Sequence, residues 1–379
     1  MTTKFTYSSG IEVTFAGSQI TSTSYSGYPV AVDLGSNITT IGPNAFKDIS
    51  LGTVTFADYE TSLLQSIGAH AFENTKLRSI VFPNSLTIVG EYAFANCADL
   101  TGIDIKEGSN IRTIGSHCFY KSGAFWDIDI PNTVMNLGEY CFYNTDVSMT
   151  TLPCSLSVIP AHAFENTKIT TMKIPSSITH VGDYSFASMD NTGVLATLTF
   201  VGSKLQVIGE YAFYGNDIAT VSIPISVSDI GDYAFTGVGI SSVKLSTLVI
   251  PTLSTLKTIG DYAFYDNTLS EAFIPLTVTS IGDYAFANNS FGASDVTLAG
   301  SNLKTIGDYA FANNSAVNAI NIPHSVTAIG PSAFFGTDAN LVVTFSNPTT
   351  SLVISAGTFG HAQLPAVFSI INFVRHGNA

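Results

Sequence analysis

The sequence predicts a repeat solenoid, mainly β, in which about fourteen short coils stack on one another. Three observations carry that expectation. A hexamer recurs along nearly the whole chain, a second motif lies at a fixed place between hexamers, and the composition is rich in apolar residues but poor in charge.

The hexamer reads Ile-Gly-Asp-Tyr-Ala-Phe in its purest form, at Ile230 to Phe235, Ile259 to Phe264, Ile281 to Phe286 and Ile306 to Phe311. Ile208 to Phe213 carries Glu in place of Asp, and Val89 to Phe94 also begins with Val. Looser copies end at Phe46, Phe72, Phe119, Phe142, Phe164, Phe186 and Phe334, and a degenerate copy ends at Phe359. Successive terminal phenylalanines are 22 to 29 residues apart, most often 22, a spacing that fits one supersecondary unit per copy.

The second motif reads Leu-x-x-Ile-x-Ile-Pro-x-Ser-Val. It occurs at Ile218, Val221, Ile223, Pro224 and Val227, and again at Ile169, Met172, Ile174, Pro175 and Ile178. Its alternating centre is a short strand, and proline closes it because proline brings no N–H to a ladder. Longer repeats replace the proline with a Gly-Ser turn, as at Gly202 and Ser203 or Gly300 and Ser301. The hexamer is expected to form one turn of helix, with Gly opening it and the acid answering the helix dipole. Asn74, Asn96, Asn144, Asn166, Asn288 and Asn313, two residues beyond Phe, are expected to close it in the left-handed conformation.

Each unit is therefore a strand, a turn and a helical turn. The coil is expected to be right-handed, with one long parallel sheet and with Ala and Phe pointing inward. Residues 1–29 are expected to form an N-terminal β cap, with strands within Lys4 to Phe15. Residues 30–359 form the tandem repeats, and 360–379 a closing strand (Val367 to Val374) and tail.

Hydrophobic residues make up 45% of the chain and charged residues 11%, which excludes disorder and speaks against a helical bundle. The net charge of -14, with 14 Lys and Arg, argues against nucleic acid and anionic membranes as partners. Met1 to Ile20 has neither a basic start nor an apolar run of signal-peptide length, and no stretch approaches the roughly eighteen apolar residues of a membrane span. The cysteines at 97, 118, 141 and 154 match neither a disulfide framework nor a common zinc pattern.

The repeated Ile-Gly-x-x-Ala-Phe with Ile-Pro-x-Ser-Val resembles the BspA-like class of leucine-rich repeat proteins, over roughly Val30 to Phe359. The resemblance implies a leucine-rich-repeat coil and an adhesin or surface-exposed interaction protein, at a cell surface or on a virion. The expected function is non-enzymatic recognition of a protein or glycan by the exposed sheet face or loop edge, without a cofactor. The alternatives are a rigid component of a virion, phage tail or surface assembly, and an enzyme. No phosphate-binding loop, nucleophile elbow or zinc-protease motif occurs.

His70, His117 and His162 stand where other copies have Tyr92, Tyr140, Tyr184, Tyr211, Tyr233, Tyr262, Tyr284 and Tyr309. They are expected to be half-buried flat rings, about 10 Å apart in alternate coils and too distant to share a metal. Cys118 and Cys141 take the inward Ala place in successive repeats, where either a disulfide or two buried thiols would fit.

The outward row of the strands is expected to run Asp33, Thr55, Val81, Asp104, Asp129, Thr151, Lys173, Thr199, Ser222, Lys244, Phe273, Thr297, Asn321 and Thr344. Two places in it stand out as candidate binding residues. Asp104, Asp127 and Asp129 would share one face beside Trp126, the only tryptophan, where a cation or basic partner could relieve the repulsion. Phe273 with Glu271 is a candidate aromatic anchor.

Overall fold

The computed structural model describes residues 2–373 apart from 8, 10, 11, 25, 57–59, 125–127, 191–193, 238–242, 301, 347–351, 356 and 361–371. The chain is a β-solenoid of about fourteen coils. It divides into two compact units, Met1–Ser177 and Ile178–Ala379.

Two sets of strands run through each unit, where the sequence predicts one sheet: the longer strands pair mostly two by two, and the shorter ones form a continuous ladder. The longer strands follow the Leu-x-x-Ile-x-Ile motif. In the first unit Ala31–Leu34 pairs in parallel with Thr53–Phe56, and Ser79–Phe82 with Gly102–Ile105. In the second, Thr220–Ser222 pairs with Thr247–Val249, Ala272–Ile274 with Val296–Leu298, and Ala319–Ile322 with Val342–Phe345. The shorter strands have two residues each and, within the repeats, end on the first residue of the hexamer. They run from Gln19–Ile20 to Asn136–Leu137 in the first unit and from His180–Val181 to Asn372–Phe373 in the second. The turn between the two sets explains the rest of the motif. Leu86, Val134, Val227, Val278 and Val326 each donate their N–H to the carbonyl of the proline three residues earlier. In several copies the serine of this turn donates its hydroxyl to a carbonyl of the preceding coil, as Ser85 does to Leu64 and Ser226 to Leu205.

The hexamer is not a helical turn; among the described residues there is no helix. Its N–H groups alternate between two destinations. Ala93 and Ala95 donate within the coil, to Gly90 and Tyr92, whereas Tyr92, Phe94 and Asn96 donate to Ser116, Cys118 and Tyr120 of the next coil, at 2.8–3.0 Å. The segment is thus a ladder of its own, built from turns. This alternation requires two left-handed residues per coil. The closing asparagines adopt that conformation as expected (Asn96, φ 57°), and so does the Tyr or His place (Tyr92, φ 52°), where a bulky residue is unexpected. The acid has no helix dipole to answer. Its carboxylate instead accepts the N–H of the next coil's acid residue: Asp232 from Asp261 at 2.8 Å, Asp261 from Asp283 at 2.7 Å, and Asp283 from Asp308 at 2.7 Å. Glycine precedes the acid because a Cβ on Gly282 would stand 2.4 Å from the Asp261 carboxylate.

The core of each unit is a column of stacked phenylalanines. In the first it runs Phe46, Phe72, Phe94, Phe119, Phe142 and Phe164, with centroids 5.1–5.5 Å apart. In the second it runs from Phe186 through Phe213, Phe235, Phe264, Phe286, Phe311 and Phe334 to Phe359, 5.2–5.5 Å apart. At the amino end Thr3–Thr6 pairs antiparallel with both Glu12–Phe15 and Ala31–Leu34, and the buried Phe5 stands 6.4 Å from Phe46, covering the end of the first column. At the carboxyl end Asn372–Phe373 adds in parallel to Val353–Ile354. The rest of the expected closing strand lies outside the described residues.

Candidate functional site

The outward row of the longer strands is where side chains leave the repeat. The residues flanking this place are mostly buried, as Val32 and Leu34 are beside the exposed Asp33, whereas Ile103 and Ile105 beside Asp104 are half-buried. The expected register holds where Asp33 pairs with Thr55, Val81 with Asp104, Thr151 with Lys173, Phe273 with Thr297 and Asn321 with Thr344. It fails at Lys244. Ser222 pairs with Val249, because the strand is counted back from Pro251, as in other copies, and the extra residues of this long repeat precede it. Lys244 instead forms an ion pair with Asp266 at 2.7 Å.

In the first unit the row floors a groove of about 370 Å³, lined by Thr53, Thr55, Phe56, Ser79, Val81 and Lys106. That volume lies in the range of small-ligand sites. Gly102, opposite Ser79 on the next strand, adds no side chain to the row beside it, and Lys106 forms part of the wall. The Thr55 hydroxyl donates to Asp33 at 3.1 Å. Asp104 accepts from the Lys106 ammonium, so the chain itself supplies a cation for this carboxylate. Lys106 carries no signal in the repeat pattern, since it follows the strand where other copies have proline. Trp126 and Asp127 lie outside the described residues. Among the described residues no three His, Cys, Asp or Glu groups converge as a metal site.

In the second unit Phe273 is half-buried and Glu271, just before its strand, is exposed. Around them the sequence reading missed exposed apolar residues: Ile225 (42% exposed), Val249 (46%), Leu253 (80%) and Leu276 (50%). Their signal was available, because they occupy turn or outward places that hold polar residues in most copies.

The histidines are placed by the ring column. His70, Tyr92, His117, Tyr140 and His162 stack at 4.2–4.8 Å with interplanar angles of 7–15°. His70 and His162 hydrogen-bond through Nδ1 to Glu73 and Glu165 at 2.6 and 2.5 Å. Burial pushes the Glu165 carboxyl up, against the pull of His162. Cys118 and Cys141 are fully buried free thiols, held well above the ordinary thiol range by burial.

A family model of the BspA type leucine rich repeat region, six copies long, matches residues 13–121, 65–192, 190–252 and 241–363. A comparison with curated proteins finds no match. Among solved structures, a leucine-rich repeat protein from Bacteroides ovatus is 18% identical, covering 99% of this chain and 98% of that one, with a TM-score of 0.48. A leucine rich cell surface protein from Faecalibacterium prausnitzii is 20% identical, covering 91% and 86%, with a TM-score of 0.41. The pneumococcal vaccine antigen PcpA is 17% identical, covering 93% and 73%, with a TM-score of 0.39. Among the described residues no helix is long and apolar enough to cross a membrane.

Proposed function

The chain belongs to the BspA type leucine-rich repeat family, and on that premise we propose that it is a non-enzymatic recognition protein that engages a protein or glycan, at a surface, through the outward row of its longer strands. One observation carries this reading. Inward places repeat the same few residues from coil to coil, whereas the outward row changes from Asp to Thr, Val, Lys, Phe and Asn. The fold does not require those changes, because the side chains point away from the core. The groove of the first unit is a concavity on that row, with hydroxyls, an apolar floor and an ion pair. The exposed apolar group around Phe273 is its counterpart in the second unit, and such groups supply anchors in interfaces.

The test is surface plasmon resonance against panels of matrix proteins and glycans, with variants that put an arginine on each face. Val81→Arg and Phe273→Arg should each reduce binding about tenfold or more at their own site. Thr305→Arg, an exposed place on the shorter-strand ladder, should leave binding intact. Loss of binding in Thr305→Arg alone would move the contact surface to the other ladder.

A further inference from the structure

The ring column of the first unit contains one position whose chemistry differs from its neighbours. His117 is sandwiched between Tyr92 at 4.4 Å and Tyr140 at 4.7 Å, nearly parallel to both. Its Nδ1 is buried and, among the described residues, has no hydrogen-bond partner. Three residues after His70 and His162 stand Glu73 and Glu165, each bonded to the histidine. Three residues after His117 stands Tyr120, whose ring lies tilted 5.4 Å away and stacks on Tyr143. The acid place beside His117 is vacated by Ser116, as it is by Ala69 and Ala161 beside His70 and His162, so the missing carboxylate three residues on is what sets His117 apart.

We propose that His117 is a proton-sensitive joint of the first unit: protonation places a charge and a buried N–H without an acceptor between two tyrosine faces, and loosens the coils that His117 bonds together. The coils at stake are identified by the backbone. His117 donates its N–H to Glu139 of the next coil at 2.8 Å, and Tyr92 of the preceding coil donates to Ser116 at 3.0 Å.

The titratable groups around the ring are Glu91 and Tyr92 from the preceding coil, Tyr120 from its own, Glu139 and Tyr140 from the next, and His162 beyond. Burial lowers the His117 pKa, and His162 adds to that, while Glu91 and Glu139 oppose it. The net direction is down from 6.5. A histidine depressed in the folded state contributes stability that is complete above its unfolded value and is lost as pH falls through 6.5 toward the folded value. Acid therefore weakens this joint, and neutral pH restores it.

The test compares the intact protein with His117→Tyr, which installs the residue found at this place in the adjoining coils. In the parent, the folding constant should fall by up to about tenfold per pH unit just below 6.5, relative to the variant. Amide exchange at His117 and Tyr92, corrected for its intrinsic pH dependence, should accelerate between pH 7 and 5.5 in the parent alone. Tyr120→Glu, which copies the spacing of His70 with Glu73, should reverse the sign by giving the imidazolium a partner, and Tyr120→Gln is its shape control. Proton NMR should find His117 titrating below 6.5. Equal pH slopes in parent and His117→Tyr, or titration of His117 at or above 6.5, would overturn the proposal, and a variant that fails to fold leaves the NMR titration of the parent to decide it.

Discussion

The two units build the same coil from different side chains. In the first, the ring column alternates His and Tyr; in the second, Tyr184, Tyr211, Tyr233, Tyr262, Tyr284 and Tyr309 stack at 4.5–4.7 Å without a histidine. The buried polar column beside the phenylalanines differs too. The first unit uses short groups that satisfy a carbonyl: Cys97 bonds to Phe72, Ser122 to Phe94, Thr145 to Phe142 and Thr167 to Phe164. The second keeps such a group in Thr337, bonded to Phe334, and elsewhere uses asparagines that reach further. Asn289 donates to Phe264 and Phe286 and accepts from Leu269, and Asn314 donates to Phe286 and Phe311 and accepts from Asn289. The backbone requires that orphan carbonyls be satisfied and that a left-handed residue stand at the ring place; it leaves open which residue does either.

The difference can be broken by truncation. Phe213→Ala in the second unit should cost about 3–5 kcal/mol by cavity formation, and Phe94→Ala in the first a similar amount, since both rings are buried in equivalent columns. Urea unfolding measures both, and a markedly smaller loss in either unit would show that its column is not the main support.

Asn289→Ala should cost about 2–4 kcal/mol, because two buried carbonyls and one N–H lose partners, whereas Thr145→Ala should cost about 1–2 kcal/mol for one. Equal losses would mean that water enters the asparagine column and takes over its bonds.

The acid column gives a smaller, pH-dependent effect. Pro331 follows Asp308 at the acid place of the next coil and brings no N–H, so this carboxylate lacks the bond its predecessors make. Burial pushes Asp308 above 3.8, and Asp283 and Asp261 push it further. A carboxyl raised in the folded state contributes stability that is complete below its unfolded value and is lost as pH rises through the folded one. Asp308→Asn should therefore raise the thermal midpoint slightly at pH 7 and leave it nearly unchanged near pH 3.5. The smallest effect is spectroscopic. Burial and the neighbouring Tyr233 and Tyr184 raise the Tyr211 phenol to about 12, so alkaline titration of tyrosine absorbance should show a late step that Tyr211→Phe removes.

The left-handed ring place leaves a mark in the sequence only at the ends of the array, a mark that went unread. Asn44 and Gly357 stand there in the outermost copies, both residues that tolerate a positive φ, and both adopt it at 55° and 72°. Tyr in the inner copies points the other way, because its own preference is against that conformation and the compensation comes from rings above and below. The candidate groove was half legible: Val81, Thr55 and Asp104 follow from counting along the repeat, but Lys106 reaches Asp104 from outside the pattern.

By itself, the sequence determined the number of coils, the inward phenylalanines and the closing asparagines, because burial and left-handed turns leave a mark on each copy separately. The tertiary structure decided that the hexamer is a turn ladder instead of a helix, that strands form two sets, and that Val249 replaces Lys244 in the outward row. Each of those depends on where an N–H finds its acceptor, and here the acceptor lies on a neighbouring coil 20 or more residues away. A pattern within one repeat records which side chains are buried; it does not record which of two carbonyls, its own or the next coil's, an amide will choose.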